Sequence, residues 1–223
     1  MSINIAIDGP AGAGKSTIAK QIAKNMGYIY VDTGAMYRTL AIHFIRNKVA
    51  VEDSQKMSSL CDDVSVEIKY VDNVQHLYLN GEDVTGILRT EEVGNMASAC
   101  AVNPDVRSKL TVIQKEMAKT TDLVMDGRDI GTAVLPDADV KIFLTASVAV
   151  RAERRYKELV EKGLEADIEK IKADIEERDY RDSHREHSPL KQAEDAVLVD
   201  SSDMTIEQVV AYIQKIIGEK INV

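Results

Sequence analysis

The chain has 223 residues, with 28 Lys and Arg against 37 Asp and Glu, so its formal net charge is −9 at pH 7. This length predicts one domain, or one domain with an insertion. A composition of 44% hydrophobic and 29% charged residues is typical of a globular protein with a buried core and excludes fibrous or largely disordered chains. The acidic balance argues against nucleic acid or anionic lipid as a partner, because both bind through clustered positive charge.

No apolar run approaches the roughly 20 residues that a membrane-spanning helix requires, and the start does not resemble a secretion signal. We therefore expect a cytoplasmic protein with no membrane partner. No coiled-coil heptad is evident. Cys61 and Cys100 have no Cys or His at metal-ligand spacing, and we interpret both as packing residues.

The first 32 residues predict a strand, a helix and a second strand. Residues 3–8 alternate and are rich in β-branched side chains, and a glycine-rich loop at 9–14 interrupts them. Ile18, Ile22 and Met26 then recur at helical spacing, and Gly27 is placed to end that helix before a strand at 28–32. This order predicts a parallel sheet with helices on both faces.

The middle of the chain has a different pattern. Alternating residues between 64 and 79, interrupted by a turn at Asp72 and Asn73, predict a small antiparallel sheet. Thr90 is a candidate N-cap of a short helix, and Pro104 is suited to the first turn of a longer one. We interpret residues 61–101 as an inserted β plus helix subdomain.

Residues 9–16, Gly-Pro-Ala-Gly-Ala-Gly-Lys-Ser, match the P-loop pattern between a predicted strand and a predicted helix. In such a loop the backbone N–H groups surround a phosphate, Lys15 reaches its oxygens and the Ser16 hydroxyl ligates Mg²⁺. The alternative is a chance glycine turn, which the flanking elements argue against. The candidate ATP-binding residues here are Gly9, Pro10, Ala11, Gly12, Ala13, Gly14, Lys15, Ser16 and Thr17.

Three later segments, at 122–126, 140–144 and 196–200, return to mostly buried strands, and Thr205 with Gln208 predicts a capping box for the last helix. The sequence thus predicts an α/β P-loop fold of three layers with a five-stranded parallel sheet. We assign its core to residues 1–60, 102–146 and 188–223, and a helical lid to residues 147–187.

Six of the eleven arginines fall between residues 151 and 185. Arg151, Arg154 and Arg155 stand at i, i+3 and i+4, so one helix face is expected to present all three. A second helix follows Gly163. Its predicted apolar stripe is Leu164, Ile168, Ile171 and Ile175. Two helices joined at a glycine suggest a hinged lid, and the alternative is a solvated, internally paired hairpin.

Arg38 and Arg128 follow the second predicted strand and the one at 122–126, so both should lie at the carboxyl edge of the sheet, where ligands bind in open α/β folds. Each is a candidate phosphate clamp. Each is also a candidate for a structural ion pair with a neighbouring Asp.

Four segments together resemble those of the bacterial cytidylate kinases, a branch of the nucleoside monophosphate kinases. They are Asp-Gly-Pro-Ala-Gly-Ala-Gly-Lys-Ser at 8–16, Asp-Thr-Gly-Ala-Met-Tyr-Arg at 32–38, Asp-Gly-Arg-Asp-Ile-Gly-Thr at 126–132 and Glu-Arg-Asp-Tyr-Arg-Asp at 177–182. The resemblance covers nearly the whole chain, and residues 61–101 resemble the enlarged monophosphate-binding domain of that branch.

The resemblance implies transfer of the γ-phosphoryl group of ATP, with Mg²⁺, onto CMP or dCMP. It also implies a monomer, because members of the family are generally monomeric. The catalytic residues it implies are Lys15, Arg38, Arg128, Arg155 and Arg185. Those it implies for CMP are Thr33, Arg38, Ser98, Arg107, Arg128, Asp129, Arg178, Asp182 and Arg185. Arg151 and Arg154 would join the P-loop in binding ATP.

The Asp129 carboxylate is suited to cytosine, because it accepts from the exocyclic amine and repels the O4 carbonyl of uracil. Thr33 stands where some relatives carry Ser, which leaves the choice between ribose and deoxyribose open. Two alternatives also remain open, namely a P-loop kinase for another acceptor such as UMP, AMP or a sugar acid, and an ATP-binding regulatory module. A GTPase is excluded because the base-reading Asn/Thr-Lys-x-Asp motif is absent.

Overall fold

The computed structural model describes residues 2–72 and 74–221. Its first half contains β1 (Asn4–Asp8), α1 (Lys15–Met26), β2 (Ile29–Asp32), α2 (Thr33–Arg46), α3 (Ser54–Cys61), β3 (Val66–Val71), β4 (Val74–Leu79), β5 (Glu82–Asp83), α4 (Glu91–Cys100) and α5 (Pro104–Thr120). Its second half contains β6 (Leu123–Gly127), β7 (Val140–Thr145), α6 (Val148–Glu161), α7 (Ile168–His184), β8 (Val197–Asp200) and α8 (Ile206–Ile221).

The main sheet has five parallel strands in the order β2-β6-β1-β7-β8, which confirms the predicted fold class. Parallel strands need crossover helices, and these cover both faces of the sheet. Successive residues of β1 show this directly, since Ile5 and Ile7 pack with α1 and α8 while Ala6 packs with α2, α4 and α5. All three side chains are fully buried.

The second sheet is antiparallel, in the order β3-β4-β5. The alternation that predicted β3 and β4 is confirmed, and the two-residue strand β5 extends the sheet. Leu77 and Leu79 are buried in the same core as α2 and α4, so this sheet shares an apolar core with the main fold. The predicted turn at Asp72 and Asn73 falls on Asn73, which lies outside the described residues.

Helix α3 (Ser54–Cys61) is missing from the sequence-based prediction. It begins at Asp53, whose carboxylate accepts from the backbone N–H of Lys56, and it buries Met57 and Cys61. A helix of about two turns carries too few apolar positions for a periodicity signal. By contrast, Thr90 is confirmed as the N-cap of α4, and Pro104 is confirmed in the first turn of α5, whose N-cap is Asn103.

Helices α6 and α7, which span the segment predicted as a lid, pack on each other through a small separate core that contains Ala152, Ile171 and Ile175. The prediction that Leu164 continues this stripe is wrong. α7 begins only at Ile168, after the Asp167 cap, and Leu164 lies in the connecting turn with 55% of its surface exposed. Among the described residues, no helix is both long enough and apolar enough to cross a bilayer.

Candidate active site at the carboxyl edge of the sheet

The P-loop joins the end of β1 to the start of α1 at the centre of the sheet edge. Gly9 has a φ of 148°, and a Cβ there would lie 1.9 Å from the backbone oxygen of Leu144, so only glycine fits against β7. Gly14 caps α1 with a φ of 90°. Because glycine has no side chain to occupy the first N–H groups of the helix, these remain available to an anion.

Lys15 is buried inside the loop, where its ammonium donates to the backbone oxygen of Pro10 at 2.7 Å. Burial, and next the charge of Arg128, hold the pKa of Lys15 well below its ordinary value. An anionic ligand beside Lys15 would raise its pKa again, because a negative charge favours the protonated ammonium. The geometry therefore presents Lys15 as a cation poised for a phosphate.

Ser16 and Asp126 meet between the P-loop and β6. The Ser16 hydroxyl donates to Asp126 Oδ2 at 2.9 Å, and the Tyr30 hydroxyl donates to Asp126 Oδ1 at 2.8 Å. Burial raises the pKa of Asp126 to about 6, with the nearby Asp32 as the next cause. Thr33 donates to the backbone oxygen of Asp126 at 2.7 Å, which fixes the start of α2 against β6.

The hydroxyl and carboxylate oxygens of Ser16 and Asp126 are donors that hard divalent cations prefer. Within the described ranges, no group of three or more His, Cys, Asp or Glu side chains is arranged to hold a metal. A divalent cation at Ser16 therefore fits as one that takes most of its ligands from nucleotide phosphates and water.

Lys15 of the P-loop, Arg38, Arg128 and Arg178 form a group of neighbouring cations in which Arg128 acts on the other three. Burial and the charges of neighbouring arginines lower the pKa of Arg38 and lower the pKa of Arg178 to about 10, and Arg128 contributes to both shifts. Arg128 and Arg178 also act on Lys15. Such mutual repulsion makes a site that binds polyanions, because an anion among the four removes the cost of holding them together.

Two of these arginines, Arg128 and Arg178, differ in their hydrogen-bond partners. Arg128 donates from Nε to Asp182 Oδ2 at 2.9 Å, so α7 is tied to the end of β6. The buried Nε of Arg178 lacks a hydrogen-bond partner among the residues that the structure describes. The sequence left open whether Arg128 is a phosphate clamp or forms a structural ion pair with a neighbouring Asp. The structure shows an ion pair with Asp182, 54 positions away in the chain, and the clamp stays a prediction.

Arg107, Asp129 and Arg185 form a second cluster next to the four cations. Arg107 on α5 pairs with Asp129 Oδ2, and Arg185 faces Asp129 Oδ1 at 3.5 Å. Burial raises the pKa of Asp129, although the surrounding arginines act in the opposite direction. Ser98 lies half-buried on α4, the helix that precedes α5.

The three arginines of α6 have different surroundings, although their spacing places them on one helix. Arg151 is buried, donates from Nη1 to the P-loop oxygen of Ala11 at 2.9 Å and pairs with Asp179 of α7 at 2.6 Å. Arg154 donates to the backbone oxygen of Ser201 at 2.7 Å. Arg155 lies at the surface, where it pairs with Glu158.

Sequence reasoning missed two residues of this edge. Asp8 is buried, and its carboxylate accepts from the backbone N–H groups of Ile130 and Gly131. Tyr30 holds Asp126 as described above. A carboxylate that ends a buried strand was a signal for Asp8, whereas Tyr30 looked like an ordinary strand residue.

A P-loop at the carboxyl edge of a parallel sheet, with cationic side chains beside it, defines a P-loop nucleotide-binding protein. Solved structures of low identity share this fold. A gluconokinase from Sinorhizobium meliloti superposes with a TM-score of 0.52 at 14% identity over 99% of this chain and 94% of that one. An uncharacterized protein from Eubacterium ventriosum does so with 0.54 at 13% identity over 97% and 98%.

The family model described as cytidylate kinase matches residues 5–219. The chain is 50% identical over 220 residues to the cytidylate kinase of Geobacillus sp. strain WCH70, covering 99% of this chain and 98% of that one. It is 51% identical over 221 residues to the cytidylate kinase of Leuconostoc mesenteroides, covering 99% of each. The chain belongs to the cytidylate kinase family, and it is a nucleoside monophosphate kinase.

Proposed function

We propose that the protein transfers the γ-phosphoryl group of ATP to the phosphate of CMP or dCMP, giving ADP and the cytidine diphosphate. The observation that carries this proposal is that Arg128, at the carboxyl edge of the sheet, lies near enough to Lys15, Arg38 and Arg178 to lower the pKa of each. Two nucleotide phosphates brought together need that density of positive charge.

In the proposed transfer, the bond between the γ-phosphorus and its bridging oxygen breaks while a bond forms to an oxygen of the acceptor phosphate. The acceptor is already anionic, so no general base is required. Catalysis then depends on placing the two phosphates in line and on neutralising their charge.

For the donor, we assign the P-loop residues 9–17 to the phosphates of ATP, with Arg151 and Arg154 on the lid side. Mg²⁺ would be held by Ser16, phosphate oxygens and water, and it would neutralise charge on the phosphates. Arg155 would reach a phosphate only after it leaves Glu158, its partner at 2.9 Å.

For the acceptor, we assign Arg38, Arg128 and Arg185 to the phosphate of CMP. The cytosine would contact Ser98, Arg107 and Asp129, since a carboxylate accepts from its amine while Arg donates to O2 and N3. The sugar would lie near Thr33, Arg178 and Asp182.

We also infer a cytoplasmic monomer with no nucleic-acid partner, in line with the net charge of −9. Residues 61–101 would form the monophosphate-binding part, and residues 147–187 the lid that excludes water from the γ-phosphate. Water excluded in this way cannot replace CMP as the acceptor.

The test is ADP release from ATP and Mg²⁺ with CMP, dCMP, UMP or AMP in turn, for the wild type and for Asp129→Ala. We expect turnover largely confined to CMP and dCMP, and lost in the variant. Asp137→Ala is the matched control, because Asp137 is exposed eight residues further along the same segment. If CMP were inert while UMP, AMP or no acceptor released ADP, the proposed acceptor would be wrong.

A further inference from the structure

Asp8 is the last residue of β1, and its side chain is directed at a neighbouring loop. Its Oδ1 accepts from the backbone N–H of Ile130 at 2.8 Å, and its Oδ2 accepts from that of Gly131 at 2.7 Å. The residue is only 5% exposed. A carboxylate that accepts two short bonds from consecutive peptide groups fixes both the position and the tilt of that peptide segment.

The segment that Asp8 holds is an irregular turn. Residues Ile130–Val134 form one wide turn, in which Val134 N donates to Asp129 O at 3.2 Å and Leu135 N to Ile130 O at 2.6 Å. The first N–H groups of a helical turn have no partner within it. The Asp8 carboxylate at the end of β1 accepts from two of these N–H groups. The turn therefore depends on a contact with a residue outside it.

The residue immediately before this turn is Asp129. Its backbone has φ −146° and ψ 24°, which is outside regular helix and strand, and its carboxylate is placed between Arg107 and Arg185. Any shift of the turn would move that carboxylate relative to both arginines. The turn is closely packed at Gly131, since a Cβ there would lie 3.1 Å from Lys141 Cδ and 3.4 Å from Asp8 Oδ2.

We propose that Asp8 is a positioning residue for base recognition: by holding the N–H groups of Ile130 and Gly131, it places the Asp129 carboxylate and so sets the preference for cytosine over uracil. Asp8 also precedes the P-loop directly, so one residue joins the donor loop to the acceptor loop. This inference rests on the proposed function, in which Asp129 contacts the base.

The test is Asp8→Asn, which keeps the size of the side chain but directs an amide N–H at one of the two backbone N–H groups. We expect the KM for CMP to rise about tenfold and the ratio of kcat/KM for CMP to that for UMP to fall about tenfold, while the KM for ATP stays within about twofold. A merely structural role would not separate the two substrates in this way.

Asp139→Asn is the matched control. Its Oδ2 accepts from the backbone N–H of Asn4 at 2.7 Å, so it makes the same kind of bond to the other end of β1, away from the site. We expect the kinetic constants of this variant to match the wild type. Thermal unfolding of both variants separates loss of folding from loss of recognition.

A CMP to UMP ratio that stays at the wild-type value in Asp8→Asn, or equal rises in the KM for ATP and for CMP, would overturn the inference. If Asp8→Asn does not fold, Gly131→Ala perturbs the turn itself, because its Cβ would lie 3.1 Å from Lys141 Cδ and 3.4 Å from Asp8 Oδ2. It should lower the same ratio, and an unchanged ratio would overturn the inference. A wild type that ignores CMP would instead overturn the proposed function, so the two failures are distinguishable.

Discussion

Arg107 and Asp129, on different elements of the fold, form an ion pair in which each side chain is only 7% exposed. Removal of one member of such a buried pair leaves an unpaired charge, which typically costs about 3 to 5 kcal/mol. The pair lies where we place the cytosine, so recognition of the base and stability of the protein depend on the same two residues.

We expect Arg107→Met to lower the melting temperature and to raise the KM for CMP at least about tenfold, because Asp129 keeps its charge but loses its main partner. Adding Asp129→Asn should recover part of the stability and none of the CMP activity. Thermal unfolding and steady-state kinetics of both single variants and the double variant measure this coupling. Full recovery of activity in the double variant would contradict the proposed role of the pair.

Arg155 is assigned to catalysis, although it lies half-exposed beside Glu158. We expect Arg155→Gln to leave the melting temperature unchanged, because exposed ion pairs contribute little stability, and to lower kcat about tenfold or more. Glu158→Gln is the control, since it breaks the same surface pair without removing the cation. Wild-type kcat in Arg155→Gln would remove this residue from the proposed catalytic set.

Gly9 and Gly27 both have positive φ but differ in their surroundings. A Cβ at Gly27 meets nothing within 4 Å, whereas one at Gly9 would lie 1.9 Å from Leu144 O. We expect Gly27→Ala to cost about 1 kcal/mol in unfolding free energy. Gly9→Ala should cost several times more and abolish ATP binding, because β7 and the P-loop must separate. Chemical unfolding and nucleotide titration of both variants test this difference.

The stability of the protein should depend on the protonation of Asp8. Burial raises the pKa of this carboxyl from 3.8 to about 6, with Asp129 also raising it and Lys15 lowering it. The folded state favours the protonated form of Asp8. The stabilisation from this group is therefore largest below its unfolded pKa of 3.8 and is lost as the pH rises through its folded pKa of about 6. We therefore expect the unfolding free energy of the wild type, relative to Asp8→Asn, to fall by up to about 3 kcal/mol between pH 4 and pH 7.

Urea unfolding of the two proteins at several pH values measures this difference. If the unfolding free energies of the two proteins change in parallel between pH 4 and pH 7, Asp8 does not titrate differently in the folded and unfolded states. The comparison needs no substrate, so it is independent of the proposed function.

Much of the fold follows from local patterns in the sequence. Alternation and β-branching predicted the five parallel strands. Thr90 as an N-cap and Pro104 in a first turn placed the starts of two helices. The P-loop was evident because its glycines, lysine and serine are contiguous. Helix α3 was missed, because a helix of eight residues carries too little periodic information. Leu164 was wrongly placed in the helix that begins at Ile168, because a single leucine does not show where a helix starts.

The sequence by itself determined the class of fold, the phosphate loop and the residue types available at the sheet edge, because these depend on neighbours in the chain. Only the tertiary structure decided which groups meet. Arg128 pairs with Asp182 across 54 positions, and Asp8 holds Ile130 across 122. No spacing in the sequence encodes such contacts, because they arise when the parallel strands bring their carboxyl ends to one edge and burial forces each charge to find a partner there.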